Sequence, residues 1–248
     1  MCYGWIVTGG QKQMKKFIKT IFTLILVMAS AVVILVGATG YNRYEQLTQP
    51  HSVEQMAAQI ESAPGFVPYD QLPEMLVKAT VSVEDRRFYE HGGVDYIGIA
   101  RALMSQLFPE TFVQSGGSTI TQQTVKNMFD LFTPSITRKV AEVFLAKDLE
   151  KVRTKEQILA LYVNIINYGD NHIGIREAAA GYFWKEPYEL TDAQCTLLAG
   201  IPQSPANYQL SDHYDAAKRR QQIVLQTMVD NGYIDEQQSQ QIYYTPVF

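Results

Sequence analysis

From Thr20 to Asn42 the chain carries no charged side chain, and most residues there are apolar. About 20 such residues, wound as a helix, match the thickness of a bilayer's hydrocarbon core. Lipid offers the backbone no hydrogen-bond partners, so a single span of this kind must be helical. Lys12, Lys15, Lys16 and Lys19 precede the run, with no acidic residue among the first nineteen. That bias predicts a single-pass protein of the cytoplasmic membrane, with its N-terminus inside and the rest of the chain on the outer face. Ala29-Ser30-Ala31 looks like a cleavage site, but the apolar run continues well past it, which favours an uncleaved anchor.

The segments that follow are read from composition. Residues 1–13 are a doubtful tail or tag, since Met14-Lys15-Lys16 is a more natural start, and residues 14–42 are the cytoplasmic start and anchor. Residues 43–72 are polar and contain Pro50, Pro64 and Pro68, which reads as a membrane-proximal stalk with a short helix near Val53–Glu61. Residues 73–248 form one domain, long enough for its own core. Removing the four N-terminal lysines leaves 17 basic against 25 acidic residues, a net charge of −8. A nucleic-acid binder is more often basic, so no nucleic-acid partner is expected. Cys2 and Cys195 form neither a disulfide framework nor a metal-ligand cluster.

Beyond Pro73 the apolar spacing is helical almost throughout. Thr154/Gln157 and Thr191/Gln194 have capping-box spacing, Asp235/Gln238 opens the last helix, and Gly232 marks a stop. No alternating run of useful length predicts a strand, so the class is mostly α.

Three stretches carry candidate chemistry. Glu84-Asp85-Arg-Arg-Phe88-Tyr-Glu-His91-Gly-Gly-Val-Asp95 places Glu84, Phe88 and His91 on one face if the helix continues. A carboxylate beside an aromatic in a partly dry cleft can act as a general base, although a charged helix end before a Gly-Gly turn is about equally expected. Gly116-Gly117-Ser118-Thr119-Ile120-Thr121-Gln122-Gln123 precedes Lys126 and Asn127. Ser118 can cap a helix whose first N–H groups, with Lys126, would bind phosphate oxygens; an ordinary cap is the plainer alternative. Arg138-Lys139-Val-Ala-Glu142 puts Arg138 and Glu142 four apart on a helix, which is usually a solvated ion pair and otherwise a carboxylate held next to cations.

These motifs, in this order, resemble the peptidoglycan glycosyltransferases, the transglycosylase modules of penicillin-binding proteins and their monofunctional relatives. Two more stretches match: Lys155-x-x-Ile158-Leu159-x-x-Tyr162-Val163-Asn164 with Gly169 and Gly174-Ile175, and Leu197-Leu198-Ala199-Gly200-Ile201-Pro202-Gln203-Ser204-Pro205 with Tyr208 and Arg219-Arg220. The resemblance covers about residues 70–235 and is closest to the monofunctional type. It implies a lysozyme-like, two-lobed helical domain after one transmembrane helix, polymerising lipid II into a linear glycan strand. Glu84 would be the base that takes the proton from the 4-hydroxyl of the acceptor GlcNAc, which attacks C1 of the donor MurNAc with inversion. Glu142 would sit near the diphosphate, with a divalent cation, Mg or Mn, as a bridge; no organic cofactor and no protein-held metal site is implied. Lys126, Arg138 and Lys139 would neutralise the diphosphate. Asp85, Phe88, His91, Arg101, Ser118, Thr119, Gln122, Gln123, Asn127 and Arg220 would line the donor and acceptor sites. His91 reads mainly as a residue that shapes the cleft.

Partners implied are lipid II, the growing strand, the membrane and other cell-wall synthesis proteins. Departures from the common pattern are Pro134, Ala160, Gln194 and Gln209. Apolar residues between the motifs, including Ile97, Ile99, Leu103, Met104, Leu107, Phe108, Phe112, Met128, Phe129, Leu131 and Phe132, exceed what one small lobe needs. Some are expected on a membrane-dipping surface. The competing readings are a lysozyme-like lytic transglycosylase and a non-catalytic membrane-anchored scaffold.

Overall fold

The computed structural model describes residues 4–107 and 117–248, without the side chains of residues 4–12, Leu103 and Gln106. Gly116, Phe108 and Phe112, and the Leu103 side chain, lie outside the described residues. Twelve α-helices follow one another among those described, with no strand. They are α1 (Gly4–Thr48), α2 (Val53–Glu61), α3 (Glu74–Glu84), α4 (Tyr96–Leu107), α5 (Ile120–Met128) and α6 (Ile136–Val152). After them come α7 (Lys155–Ile165), α8 (Ile175–Phe183), α9 (Asp192–Gly200), α10 (Pro205–Tyr208), α11 (Tyr214–Asp230) and α12 (Glu236–Tyr244).

Helix α1 has two parts. Its large apolar side chains from Ile21 to Leu35 are bare, from 41% exposed at Ile21 to 71% at Ile34. No protein covers them, and the helix is long and apolar enough to cross a membrane. Gly40 ends the bare part. A Cβ built on it would overlap the Val140 side chain, so α1 and α6 touch backbone to side chain there. One turn on, the Tyr41 and Tyr44 rings pack on Phe144 with centroids 5.3 and 5.7 Å apart. The Tyr44 hydroxyl donates to the Asp148 carboxylate.

Residues 43–72, expected as a stalk, instead join the packed body. Val53, Ala57 and Val67 are buried in the core, and Glu61 pairs with Arg153 at the end of α6. The Asn164 side chain on α7 holds this segment like a short ladder: its Oδ1 accepts from the Val67 N–H at 2.9 Å and its Nδ2 donates to the Val67 carbonyl at 2.8 Å. The prolines interrupt helix, which made the segment look extended, but Val53 and Ala57 give α2 an apolar face to bury.

The caps follow the sequence closely. Ser52, Thr154, Thr191 and Asp235 each accept from the N–H three residues on, with a Gln returning the bond. Pro73 occupies the N-cap of α3, where its missing N–H costs nothing. Helices α3, α9 and α11 pack on one another, α12 closing against α9 and α11. Helix α5 packs on α6 and α7, and α1 and α2 cover α6. One continuous core runs through both groups, with Leu76, Leu145, Leu149, Leu161, Tyr162 and Leu197 fully buried.

Gly174 shows how tightly the joints are made. It caps α8 with φ +88°, and a Cβ there would overlap the Asn164 carbonyl oxygen. Side chains rarely adopt that backbone conformation, and the space is taken. Gly174→Ala should therefore lower stability by about 1–3 kcal/mol, read from thermal or denaturant unfolding.

Candidate active site

Helix α3 stops at Glu84. Asp85 departs from helical geometry at φ −159° and ψ 75°, and the chain turns through residues 86–90. The single helical face expected for Glu84, Phe88 and His91 therefore does not form. Phe88 turns inward and is fully buried, with Lys155 Nζ 4.4 Å from its ring centroid. It is core, not a substrate contact. Lys155 is itself tied to Glu150, which also accepts from the Thr121 hydroxyl.

Asp85 is the hub of this corner. Its buried carboxylate accepts from the Ile120 backbone N–H at 3.0 Å, at the start of α5. It also accepts from His91 Nε2 at 2.9 Å. His91 Nδ1 faces the Gly92 carbonyl. Burial opposes charging the His91 ring, but the bonds to Asp85 and Gly92 outweigh it and raise its pKa. Asp95 completes the turn, held by Arg87 at 2.5 and 3.1 Å. Asp85, His91 and Asp95 lie close enough to suggest a metal group, yet each is already bonded to a neighbour in the protein.

The cap of α5 is Thr119, not Ser118. Thr119 accepts from the Gln122 N–H, and the Gln122 side chain accepts from the Thr119 N–H. The Thr119 hydroxyl donates to the Gly93 carbonyl at 2.7 Å, which ties α5 to the first motif. Thr119 and Gln122 are both buried, and Thr119 is spent on the cap. Ser118, left outside the helix, accepts from Lys139 Nζ at 2.8 Å. The next turn of α5 presents Gln123, whose Nε2 donates to Glu84 Oε2 at 2.7 Å. Asn127 folds back onto the Gln123 carbonyl. Lys126 stands near the Phe132 ring.

Helix α6 delivers the second carboxylate. Glu142 is 1% exposed and is not the solvated pair that its spacing usually means. Its Oε1 accepts from Arg138 Nη1 at 2.6 Å and its Oε2 from Lys139 Nζ at 2.9 Å. Arg138 also donates to the Leu131 carbonyl. Two cations are thus fixed around one buried anion, with the Lys139 ammonium reaching across to Ser118, the residue before the α5 cap.

Glu84 has a different setting. The residue is partly buried, but its Oε1 is sealed from solvent and has no hydrogen-bond partner. Burial raises its pKa; the Gln123 bond and the charges of Arg220 and Lys126 pull the other way, and Asp85 adds to the rise. Arg220 reaches this corner from α11, crossing Gly200 so closely that a Cβ there would lie 2.9 Å from Arg220 Cγ. Burial lowers the Arg220 pKa against the field of Glu84. Tyr162, on α7, also lies in that field, with its hydroxyl buried and unpartnered. Its sequence motif was visible, but its approach to Glu84 depends on how α7 packs, which spacing does not encode. Arg101, on α4, is partly buried near Arg86, Asp95, Arg87 and Asp85.

Glu84, Gln123, Lys126 and Arg220 therefore converge, and Ser118, Arg138, Lys139 and Glu142 form a second linked group that meets the start of α5 at Ser118. A poised carboxylate beside fixed cations suits proton removal coupled to departure of an anionic group.

A family model described as Transglycosylase matches residues 51–229. The chain belongs to the transglycosylase family. Penicillin-binding protein 1A of Escherichia coli (strain K12) is 42% identical over 175 residues, 71% of this chain but 20% of that protein. A Cupriavidus necator protein provisionally named a transglycosylase is 36% identical over 218 residues, 88% of this chain and 90% of that protein. The crystal structure of penicillin-binding protein 1A from Haemophilus influenzae aligns with 76% of this chain and 18% of that one, at 20% identity and a TM-score of 0.45. The transglycosylase match spans every site element described above, and the chain is a glycosyltransferase by family.

The raised pKa of Glu84 has a sign that can be checked. Above both its unfolded and folded pKa the carboxylate is charged in either state, but dry only when folded, so it costs stability. Below both values the carboxyl is neutral and the cost vanishes. Glu84→Gln should raise the melting temperature at pH 8 and leave it nearly unchanged at pH 4. Equal shifts at both pH values would show that Glu84 is not desolvated.

Proposed function

We propose that this transglycosylase polymerises lipid II, joining the disaccharide of a MurNAc-diphosphate-lipid donor to the 4-hydroxyl of GlcNAc on the acceptor. The observation that carries this is the sealed, unpartnered Glu84 Oε1 in the field of Arg220 and Lys126, with two further cations, Arg138 and Lys139, fixed by the buried Glu142 and linked through Ser118 to the start of α5. Glu84 accepts the proton of the acceptor 4-hydroxyl. The freed oxygen forms a bond to C1 of MurNAc from the face opposite the leaving group. The C1–O bond to the diphosphate breaks, its electron pair leaves with the lipid diphosphate, and the sugar inverts. Lys126, Arg138 and Lys139 compensate the charge that gathers on the leaving oxygens. Such a leaving group needs cations and a base more than an acid. Ser118, Gln123, Asn127, Arg101 and Arg220 line the donor and acceptor sites, with Asp85 and His91 setting the shape of the corner.

Each Glu142 carboxylate oxygen already accepts from one cation, Arg138 or Lys139, and two fixed positive charges there oppose a divalent ion at the same carboxylate. Charge compensation is assigned to the side chains, and no step is routed through an ion. The bare part of α1 crosses the cytoplasmic membrane, with the catalytic domain on the outer face and other cell-wall synthesis proteins alongside. Exposed Tyr96, Ile97, Ile99, Met104 and Leu107 on α4, with Phe132 and Ile136, form the surface that dips into lipid; Met128 and Leu131 are core instead. Such a patch favours a membrane interface over water.

In a polymerisation assay with lipid II, Glu84→Gln should lower the rate at least ~100-fold, the usual size of a lost general base. Normal polymerisation by that variant would remove Glu84 as the base, and shortening of preformed glycan by the unmodified protein would favour the hydrolase reading. A chelator should change the rate by less than about tenfold if side chains carry the compensation. Replacing Ile97 and Leu107 by Asp should weaken the protein's lipid-dipping contact, read as loss of quenching of a probe on α4 by brominated lipids.

A further inference from the structure

The contact between α1 and α6 lies outside the site, yet it falls on the helix that builds the site. Thr137, Val140, Phe144 and Asp148 recur at three- and four-residue steps and so share one face of α6. All four meet α1: the Gly40 position lies against Val140 and the Thr137 carbonyl, and Tyr41 and Tyr44 meet Phe144 and Asp148. Arg138, Glu142, Leu145 and Leu149 recur in the same way on the other side, where Glu142, Leu145 and Leu149 are buried.

The position along α1 is as informative as the contact. Thr20–Thr39 rise about 30 Å at 1.5 Å per residue, which is the thickness of the hydrocarbon core. Gly40 comes next and is buried against the domain. Val140, which it touches, is the neighbour of Lys139 in the chain and lies two residues before Glu142. Consecutive Cα atoms are about 3.8 Å apart, so Lys139 starts within that distance of the clamp whatever the tilt of α6.

We propose that Gly40, Val140 and Phe144 are positioning residues: they clamp the membrane anchor to the cation-bearing helix and fix Arg138, Lys139 and Glu142 at the depth of the lipid headgroups. The inference rests on the reading that the site handles a lipid-linked diphosphate and that α1 spans the bilayer. A diphosphate whose tail stays in the membrane has a fixed height. A domain on a loose tether would have to find that height on each turnover; a domain clamped at Gly40 holds it. Glycine is required because any side chain would push α1 away from Val140.

The test uses the full chain in phosphatidylethanolamine–phosphatidylglycerol nanodiscs and, separately, in detergent micelles, with lipid II as substrate. Gly40→Leu should lower the polymerisation rate at least tenfold in nanodiscs and less than twofold in micelles, where no bilayer sets the height. Gly40→Ala should lose rate in nanodiscs, and Gly40→Ala with Val140→Gly should recover it to within threefold of the unmodified protein. A Gly40→Leu rate within twofold of the unmodified protein in nanodiscs would overturn the proposal. So would an equal loss in micelles, which is what simple destabilisation gives. If the unmodified protein makes no polymer at all, the functional reading fails separately. Amide exchange over residues 137–148 then decides the clamp: at least tenfold faster exchange in Gly40→Leu nanodiscs supports it, and unchanged exchange overturns it.

Discussion

Asp85 holds the molecule's functional corner together. One buried carboxylate receives the first free N–H of α5 and the His91 ring, and so joins the end of α3 to the start of α5. An anion at a helix N-terminus is favoured by the partial positive charge there. The geometry leaves Glu84, the preceding residue, beside Gln123 one turn into α5. Were this joint to open, the bond to Gln123 and the approach of Lys126 would have no fixed reference. The Thr119–Gly93 bond closes the same joint from the other side.

Glu142 illustrates a trade between affinity and order. A carboxylate that neutralises Arg138 and Lys139 lessens their pull on an incoming anion. Without it, two long side chains would have to be ordered on each binding event, and two cations would crowd each other. Burying the anion between them holds Lys139 against Ser118 and Arg138 against the Leu131 carbonyl. Preorganised charge of this kind costs little reorganisation when the leaving group develops its own. The role that best fits the contacts is therefore a holder of cations rather than a second acid or base.

Much of this was legible in the chain. Capping boxes at Thr154, Thr191 and Asp235 are local events, set by two side chains and one turn of backbone. The helix read near Val53–Glu61 is also a local event, and the structure shows it capped by Ser52 and Gln55. What the spacing hid was tertiary. Phe88 looks like a cleft aromatic until the chain turns at Asp85 and buries it. Ser118 looks like a cap until Thr119, one residue later, finds both Gln122 and Gly93. Residues 43–72 read as polar tether because only a few of them, Val53, Ala57, Val67 and Leu72, are buried hydrophobics. Gln194, read as a departure from the family pattern, uses its amide: Nε2 donates to the Val247 carbonyl, an oxygen that a carboxylate would repel.

Helix α6 meets the anchor on one face and the start of α5 on another, and that would leave a signature in inheritance. Substitutions at Val140 or Phe144 are answerable to the anchor, and those at Arg138 or Glu142 to the α5 turn. The two sets interleave along one helix without sharing contacts. Lineages that exchange one anchor for another would have to change Gly40 and Val140 together while the interleaved positions stand still. A helix read residue by residue in such lineages would show drift and stasis alternating with a period of three to four.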